Sequence, residues 1–291
     1  MLKVLNTLTR HPIGALQKAA TLLRYFNWQV SSRLFSQMQI KSWVGGLKIM
    51  VQRGFHASTS CHYLGLPEFE SMAFLLHLLR PGDVFVDAGA NIGAYSLLAS
   101  KVCGAESLAF EPALDAADIF RQNIRINRLE NLVKLHQVGL GASQRTSSLT
   151  TQHGIQNHVS TTGNPTESVE IQLQPLDDFC KNRPPVLIKM DVEGFETEVV
   201  RGASKTLANP DVKALILERM GLGKRFGFDE VALHQELLAF GFQLFEYQPF
   251  EQKLNSLQVP VFGNNLYLRD VGFIENRVKS APKITVYGVQ L

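Results

Sequence analysis

Asp83-Val84-Phe85-Val86-Asp87-Ala88-Gly89-Ala90-Asn91-Ile92-Gly93 is the stretch on which the fold turns. It begins with a short apolar run between two acids, the mark of a strand buried on both faces in a parallel sheet. Gly89 and Gly93 then permit a tight turn and close approach of a ligand to backbone. A helical pattern follows over residues 92–102, and its first turn offers N–H groups without intrahelical partners. Strand, glycine turn and helix in that order are the first half of a βαβ unit.

The same alternation extends both ways. Residues 68–79 read as a helix ended by Arg80-Pro81-Gly82, because proline disfavours the α region in the residue before it. Residues 107–110 form the next strand, closing on Glu111-Pro112, and residues 113–127 a helix. Strands are predicted at 133–136, 184–191, 212–218, 242–245 and 265–269, with helices at 196–207 and 230–240. Residues 141–170, rich in Ser, Thr, Gln and Asn, are expected to form an irregular loop or hairpin over the sheet edge. The sum is an α/β sheet sandwiched by helices, which binds ligands beyond the carboxyl ends of its strands.

Composition bounds the alternatives. The 291 residues are 45% hydrophobic, enough for one large domain with an appendage or for two small ones. No apolar run approaches the ~18–20 residues needed to span a bilayer, and no signal-peptide pattern opens the chain. Cys61, Cys103 and Cys180 lie far apart without zinc-ligand spacing, as expected of free thiols in the cytoplasm.

The net charge of +3 conceals an asymmetry. Eight of the 29 Lys/Arg fall within residues 1–66, which contain no Asp or Glu; the remaining 21 face 26 acids. A basic amphipathic extension, residues 1–66, therefore precedes a mildly acidic domain, residues 67–291. In the extension Leu16, Ala19, Ala20, Leu23, Phe26 and Val30 recur at helical spacing. Leu34, Phe35 and Met38 suggest a second short helix, and residues 46–54 a short strand. Such a surface could rest on anionic lipid at the membrane periphery, pack on the main domain or form a dimer contact. Nucleic acid is not an expected partner, since the body is acidic and carries no nucleic-acid motif.

Acids gather at the predicted strand ends. Glu111, 22 residues beyond Gly89, is placed to accept hydrogen bonds from both ribose hydroxyls of a nucleoside-containing cofactor. Asn91 stands where the dinucleotide fingerprint has its middle glycine, and Asp87 would oppose a pyrophosphate. The same carboxylate favours the cationic S-adenosylmethionine over NAD. At the fourth central strand comes Asp191-Val192-Glu193-Gly194. If the extended conformation continues, Asp191 and Glu193 point the same way. Either could take a proton from an acceptor hydroxyl or hold the cofactor's amino group. The pair could instead ligate a divalent metal or cap the next helix. His158, in the polar stretch, is a further candidate base, and Glu218 at the fifth strand end could orient the acceptor. Two other classes are a nicotinamide oxidoreductase and a catalytically silent, membrane-associated scaffold.

At these residues the sequence resembles the FkbM family of S-adenosylmethionine-dependent methyltransferases. The match runs over residues 84–93, 109–112, 187–194, 198–203 and 215–218, with Asn123 and Asn127, and reaches across about residues 65–270. The resemblance implies a Rossmann-like class I fold with a mostly parallel seven-stranded sheet, and O-methylation of sugars, glycans or other small hydroxylated metabolites. It assigns Asp87, Gly89 and Asn91 to the cofactor turn, Glu111 to the ribose, Val138 and Gly139 to the adenine, and Asp191 and Glu193 to the side facing the transferred methyl.

Overall fold

The computed structural model describes residues 2–35, 37–150, 159–160 and 168–291. Before the central sheet come α1 (Leu2–Arg10), α2 (Pro12–Leu16), α3 (Lys18–Leu34), β1 (Gln39–Ser42), β2 (Lys48–Val51), α4 (His56–Leu64) and α5 (Phe69–Leu78). The sheet opens with β3 (Val84–Ala88), α6 (Ala94–Lys101), β4 (Glu106–Phe110), α7 (Leu114–Asn127) and β5 (Val133–His136). A small lateral sheet uses β6 (Gly139–Leu140), β7 (Arg145–Thr150), β8 (Val159–Ser160) and β9 (Ser168–Gln174). The second half is β10 (Leu187–Met190), α8 (Glu196–Gly202), α9 (Ser204–Ala208), β11 (Ala214–Arg219), α10 (Glu230–Ala239), β12 (Gln243–Gln248), β13 (Lys253–Ser256), β14 (Gly263–Leu268) and α11 (Val271–Lys279). A short ribbon, β15 (Thr285–Val286) with β16 (Val289–Gln290), closes the described chain.

The main sheet has strand order β13-β12-β14-β11-β10-β3-β4-β5. The five strands from β11 to β5 run parallel, while β14 is inserted antiparallel between β11 and β12. This is the Rossmann-like arrangement that the resemblance implies, mixed α/β and mostly parallel. It carries eight strands rather than seven, because the chain after β12 folds back as β13 and lengthens the edge. Alternate residues feed opposite cores. Phe85, Leu187 and Ile216 enter one; Val86, Ile188 and Leu215 enter the other. Burying each such side chain contributes roughly 1.5–3 kcal/mol. The strand order reverses between β3 and β10, so a crevice opens there at the carboxyl ends.

The extension packs on the main domain, one of the alternatives its sequence leaves open, but its elements differ from those expected. Its buried residues Ile13, Tyr25, Trp28, Trp43, Leu47 and Ile49 belong to the same core as Phe74 and Phe85. The second helix predicted around Leu34, Phe35 and Met38 does not form; α3 ends at Leu34 and the chain enters β1, which pairs with β2. Long-range bonds override the local spacing: Lys48 N donates to Asn127 Oδ1 (2.8 Å) and Met50 N to Asn123 Oδ1 (2.9 Å), both on α7. In α3 the inward face is Thr21, Tyr25, Trp28 and Ser32, while Leu23, Phe26 and Val30 face outward. The described residues of the polar stretch take the hairpin alternative, with β7 and β9 pairing antiparallel over six residues each, Arg145 opposite Leu173.

Candidate active site

The turn after β3 is built from left-handed residues, Gly89 (φ 80°), Asn91 (φ 51°) and Gly93 (φ 87°). Gly89 N and Ala90 N both donate to Phe110 O at 3.0 Å, tying the turn to the end of β4. A Cβ on Gly89 would lie 1.8 Å from Asp191 O, and one on Gly93 2.0 Å from the Phe120 ring. Only glycine at position 89 lets the tips of β3 and β10 meet, which brings Asp191 beside the turn.

Two cavities meet at this junction and a third lies beside them. One of about 220 Å³ is lined by Gly89, Asn91, Glu111, Gly139, Asp191, Glu193 and Glu218, among others. A second, of about 180 Å³, shares Gly89, Asn91 and Asp191 with the first and adds Cys61, Glu68, Asp87, Tyr95 and Lys189. The third, of about 720 Å³, lies between α5 and the β12–β14 edge and shares Glu218 with the first and Glu68 with the second.

Glu111 is buried and fixed by two backbone donors. Asn91 N reaches Oε2 and Ala113 N reaches Oε1, each at 2.8 Å. Each carboxylate oxygen keeps a further acceptor position, a fit for the two hydroxyls of a ribose. Burial pushes Glu111 up to about 7 against the pull of those N–H groups. Asp87 turns inward, accepting from Ser96 N (3.1 Å) and Ser96 Oγ (2.7 Å), and so clamps α6 to β3. Burial raises it to about 6, with Lys189 pulling the other way. Of the residues matched to the adenine, Gly139 lines the first cavity, whereas Val138 packs against the core beneath.

The acidic pair after β10 is not extended. The strand stops at Met190, and Glu193 takes a left-handed conformation (φ 56°), so both acids reach the first cavity from a turn. The physical reason is Glu196, which the sequence reading did not single out. Its buried Oε1 accepts from Val192 N and Gly194 N, each at 3.1 Å. That carboxylate holds the loop as one in the first turn of a helix does. Burial raises Glu196 to about 7.

Lys189 was missed as well, although a lysine within an apolar strand demands a counterion. Its buried Nζ lies 2.6 Å from Asp191 Oδ2 and 4.6 Å from the Tyr95 ring centre. Tyr95 OH in turn donates to Glu68 Oε2 at 2.8 Å. Burial opposes the ammonium's charge, but Asp191, Glu68 and Asp87 outweigh it and hold the ammonium charged. For Asp191 burial is likewise outweighed by Lys189, and the carboxyl is held below its ordinary range. Glu218 hydrogen-bonds Asp191 and is raised, first by burial and then by that neighbour. Glu193 is raised by burial and by Asp191.

The cation facing Asp191 is therefore Lys189. Among the described residues no group of three or more His, Cys, Asp or Glu is arranged to hold a metal. The donor set does not fit a divalent-metal site of the kind the Asp191-x-Glu193 spacing allowed. His153 and His158 lie outside the described residues. His77 bonds Tyr247 OH at 2.6 Å inside the core, and His136 stacks on Phe110.

A family model of the methyltransferase FkbM domain matches residues 87–244. Methyltransferase 1 of Beauveria bassiana is 32% identical over 148 residues, covering 42% of this chain and 59% of that protein. Methyltransferase sdnD of Sordaria araneosa is 31% identical over 161 residues, covering 43% and 62%. The chain thus matches less than two thirds of the length of either curated relative. Among solved structures, methyltransferase FkbM from Methylobacillus flagellatus KT aligns with TM-score 0.46 at 18% identity, over 72% of this chain and 52% of that one.

Proposed function

Because the chain belongs to the FkbM methyltransferase family, we propose that it methylates a hydroxyl of a sugar, glycan or other small metabolite, with S-adenosylmethionine as donor. Glu111 carries this reading: a buried carboxylate with one free acceptor position on each oxygen, at the strand crevice, is suited to a ribose. The carboxylates of Asp87, Asp191 and Glu68 around a single ammonium favour a cationic ligand over a diphosphate. S-adenosylmethionine supplies an electrophilic methyl group on a positively charged sulfur.

The chain's own residues divide the remaining work. The large cavity combines Glu68, Ser71, Glu246 and Asn264 with Phe74 and Tyr247, a mixture suited to a polyhydroxylated ring. It meets the first cavity at Glu218, so an acceptor hydroxyl entering there would approach Asp191, Glu193 and Glu218. Lys189 makes Asp191 a weak proton acceptor, so its role is to hold charge and geometry. Glu193, with its affinity for protons raised, is the better base. Positioning can supply on the order of 7–11 kcal/mol and a base roughly 10²–10⁴-fold.

The test is transfer of isotope-labelled methyl to a panel of glycans and hydroxylated metabolites. Label should appear on an acceptor oxygen, and Glu193→Gln should lower kcat by about 10²–10⁴-fold with little change in the donor's KM. Labelling confined to nitrogen or carboxyl acceptors would overturn the assignment to a hydroxyl.

A further inference from the structure

Helix α3 is amphipathic the wrong way round for a helix that serves only the core. Its inward face is Thr21, Tyr25, Trp28 and Ser32. Its outward face is Leu23 (61% exposed), Phe26 (46%), Val30 (59%) and Leu34 (72%), successive positions three or four apart. Leu16 and Phe35, just beyond the helix ends, are exposed as well. Isolated apolar residues on a surface need no explanation. A continuous apolar stripe marks a binding face.

The surroundings of the stripe select its occupant. Residues 1–66 hold eight Lys/Arg and no acid. Lys18 in the first turn and Arg33, three residues after Val30, are exposed on the same helix. A second copy docking face to face would set one cationic surface on another, with no acid in either extension to pair across. An anionic lipid surface offers both things the face lacks, apolar depth and negative headgroups. Among the described residues no helix is long and apolar enough to cross a membrane. At 17 residues, or about 25 Å, α3 has the form of a helix lying in the interface plane.

We propose that residues 16–35 form a membrane-docking face, with the stripe of α3 inserted among anionic phospholipids and the extension's cations on their headgroups. Arg24 is not one of those cations. Its guanidinium is held against Tyr63 O (3.1 Å) and the Tyr287 ring, where it locks α3 to the body. The stripe is thus carried on a helix fixed in orientation, rather than one that must fold on the bilayer.

The experiment is co-sedimentation of the full chain with phosphatidylcholine vesicles and with equimolar phosphatidylcholine–phosphatidylglycerol vesicles. The chain should pellet with the anionic vesicles, and less so as salt is raised. The variant L23Q/F26Q/V30Q should bind at least about tenfold more weakly while melting at an unchanged temperature, since all three side chains face solvent. K18Q/R33Q should lose about fivefold per residue on anionic vesicles and nothing on neutral ones. Failure of the folded full chain to pellet with anionic vesicles would overturn the proposal, as would equal pelleting by the triple variant. A concentration-dependent dimer that the triple variant abolishes, without vesicle binding, would assign the face to a second copy instead.

Discussion

Glu111 sits where two requirements meet. It satisfies the backbone N–H groups of Asn91 and Ala113, and it must be ionised to accept hydrogen bonds at full strength from a diol. Its proton is held up to about 7 by burial, so donor affinity should fall as pH is lowered through about 7. Calorimetry across that range, in buffers of different ionisation enthalpy, should also show protons released on binding. Glu111→Ala should weaken donor binding by about 1–3 kcal/mol. Gly89 is constrained more severely, by φ 80° and a Cβ position 1.8 Å from Asp191 O. Gly89→Ala should cost on the order of 1–3 kcal/mol from the backbone alone, and the clash should part the tips of β3 and β10. Both a lower melting temperature and a weaker donor Kd are expected; an unchanged Kd would show that the turn does not shape the crevice. Glu111 and Gly89 were legible in the sequence because each stands at a fixed offset from an apolar run. Lys189 and Glu196 were not, since their partners are set by where β10 ends and how the chain turns after it.

The segment after β10 shows how an element's end decides its chemistry. Extended geometry would have aligned Asp191 and Glu193 by simple alternation, but Glu196 draws Val192 N and Gly194 N into a turn. Glu196→Ala would leave the part-buried Val192 N and the buried Gly194 N without their acceptor, the buried one at about 1–3 kcal/mol. The expected result is a lower melting temperature and a reduced kcat, because Glu193 would no longer be held towards the cavity. Glu196→Gln, which keeps an acceptor oxygen, should recover most of both. The hairpin of β1 and β2 teaches the same lesson. The residues leading into β1 match a helical period over a short window, yet the amides of Asn123 and Asn127 on α7 supply the partners that make the hairpin. The strands β3, β10 and β11, by contrast, announce themselves as short apolar runs, because burial on both faces leaves little freedom in their composition.

Across the whole molecule the buried carboxylates set a pH dependence with a definite sign. Asp87, Glu111 and Glu196 bind protons more tightly in the folded chain, at about 6, 7 and 7. Their stability contribution is therefore complete below the ordinary carboxylate range and is lost as pH rises through about 6–7. The ligand-free protein should melt at a lower temperature at about pH 8 than at about pH 5.5. Donor binding, which favours ionised Glu111, should narrow that gap. The extension's division of labour is also a property of the whole chain. Ile13, Trp28 and Trp43 belong to the main core, so removing residues 1–45 should destabilise the body rather than merely release a tail.

The central claim is that the crevice between β3 and β10 receives a cationic nucleoside on Glu111. Its most direct measurement is calorimetric titration of the full chain, at a pH above 7, with S-adenosylmethionine and separately with NAD. Saturable binding of S-adenosylmethionine, weakened by Glu111→Ala and not matched by NAD, is the predicted result. Binding of NAD in its place, or no heat from S-adenosylmethionine at millimolar concentration, would contradict it.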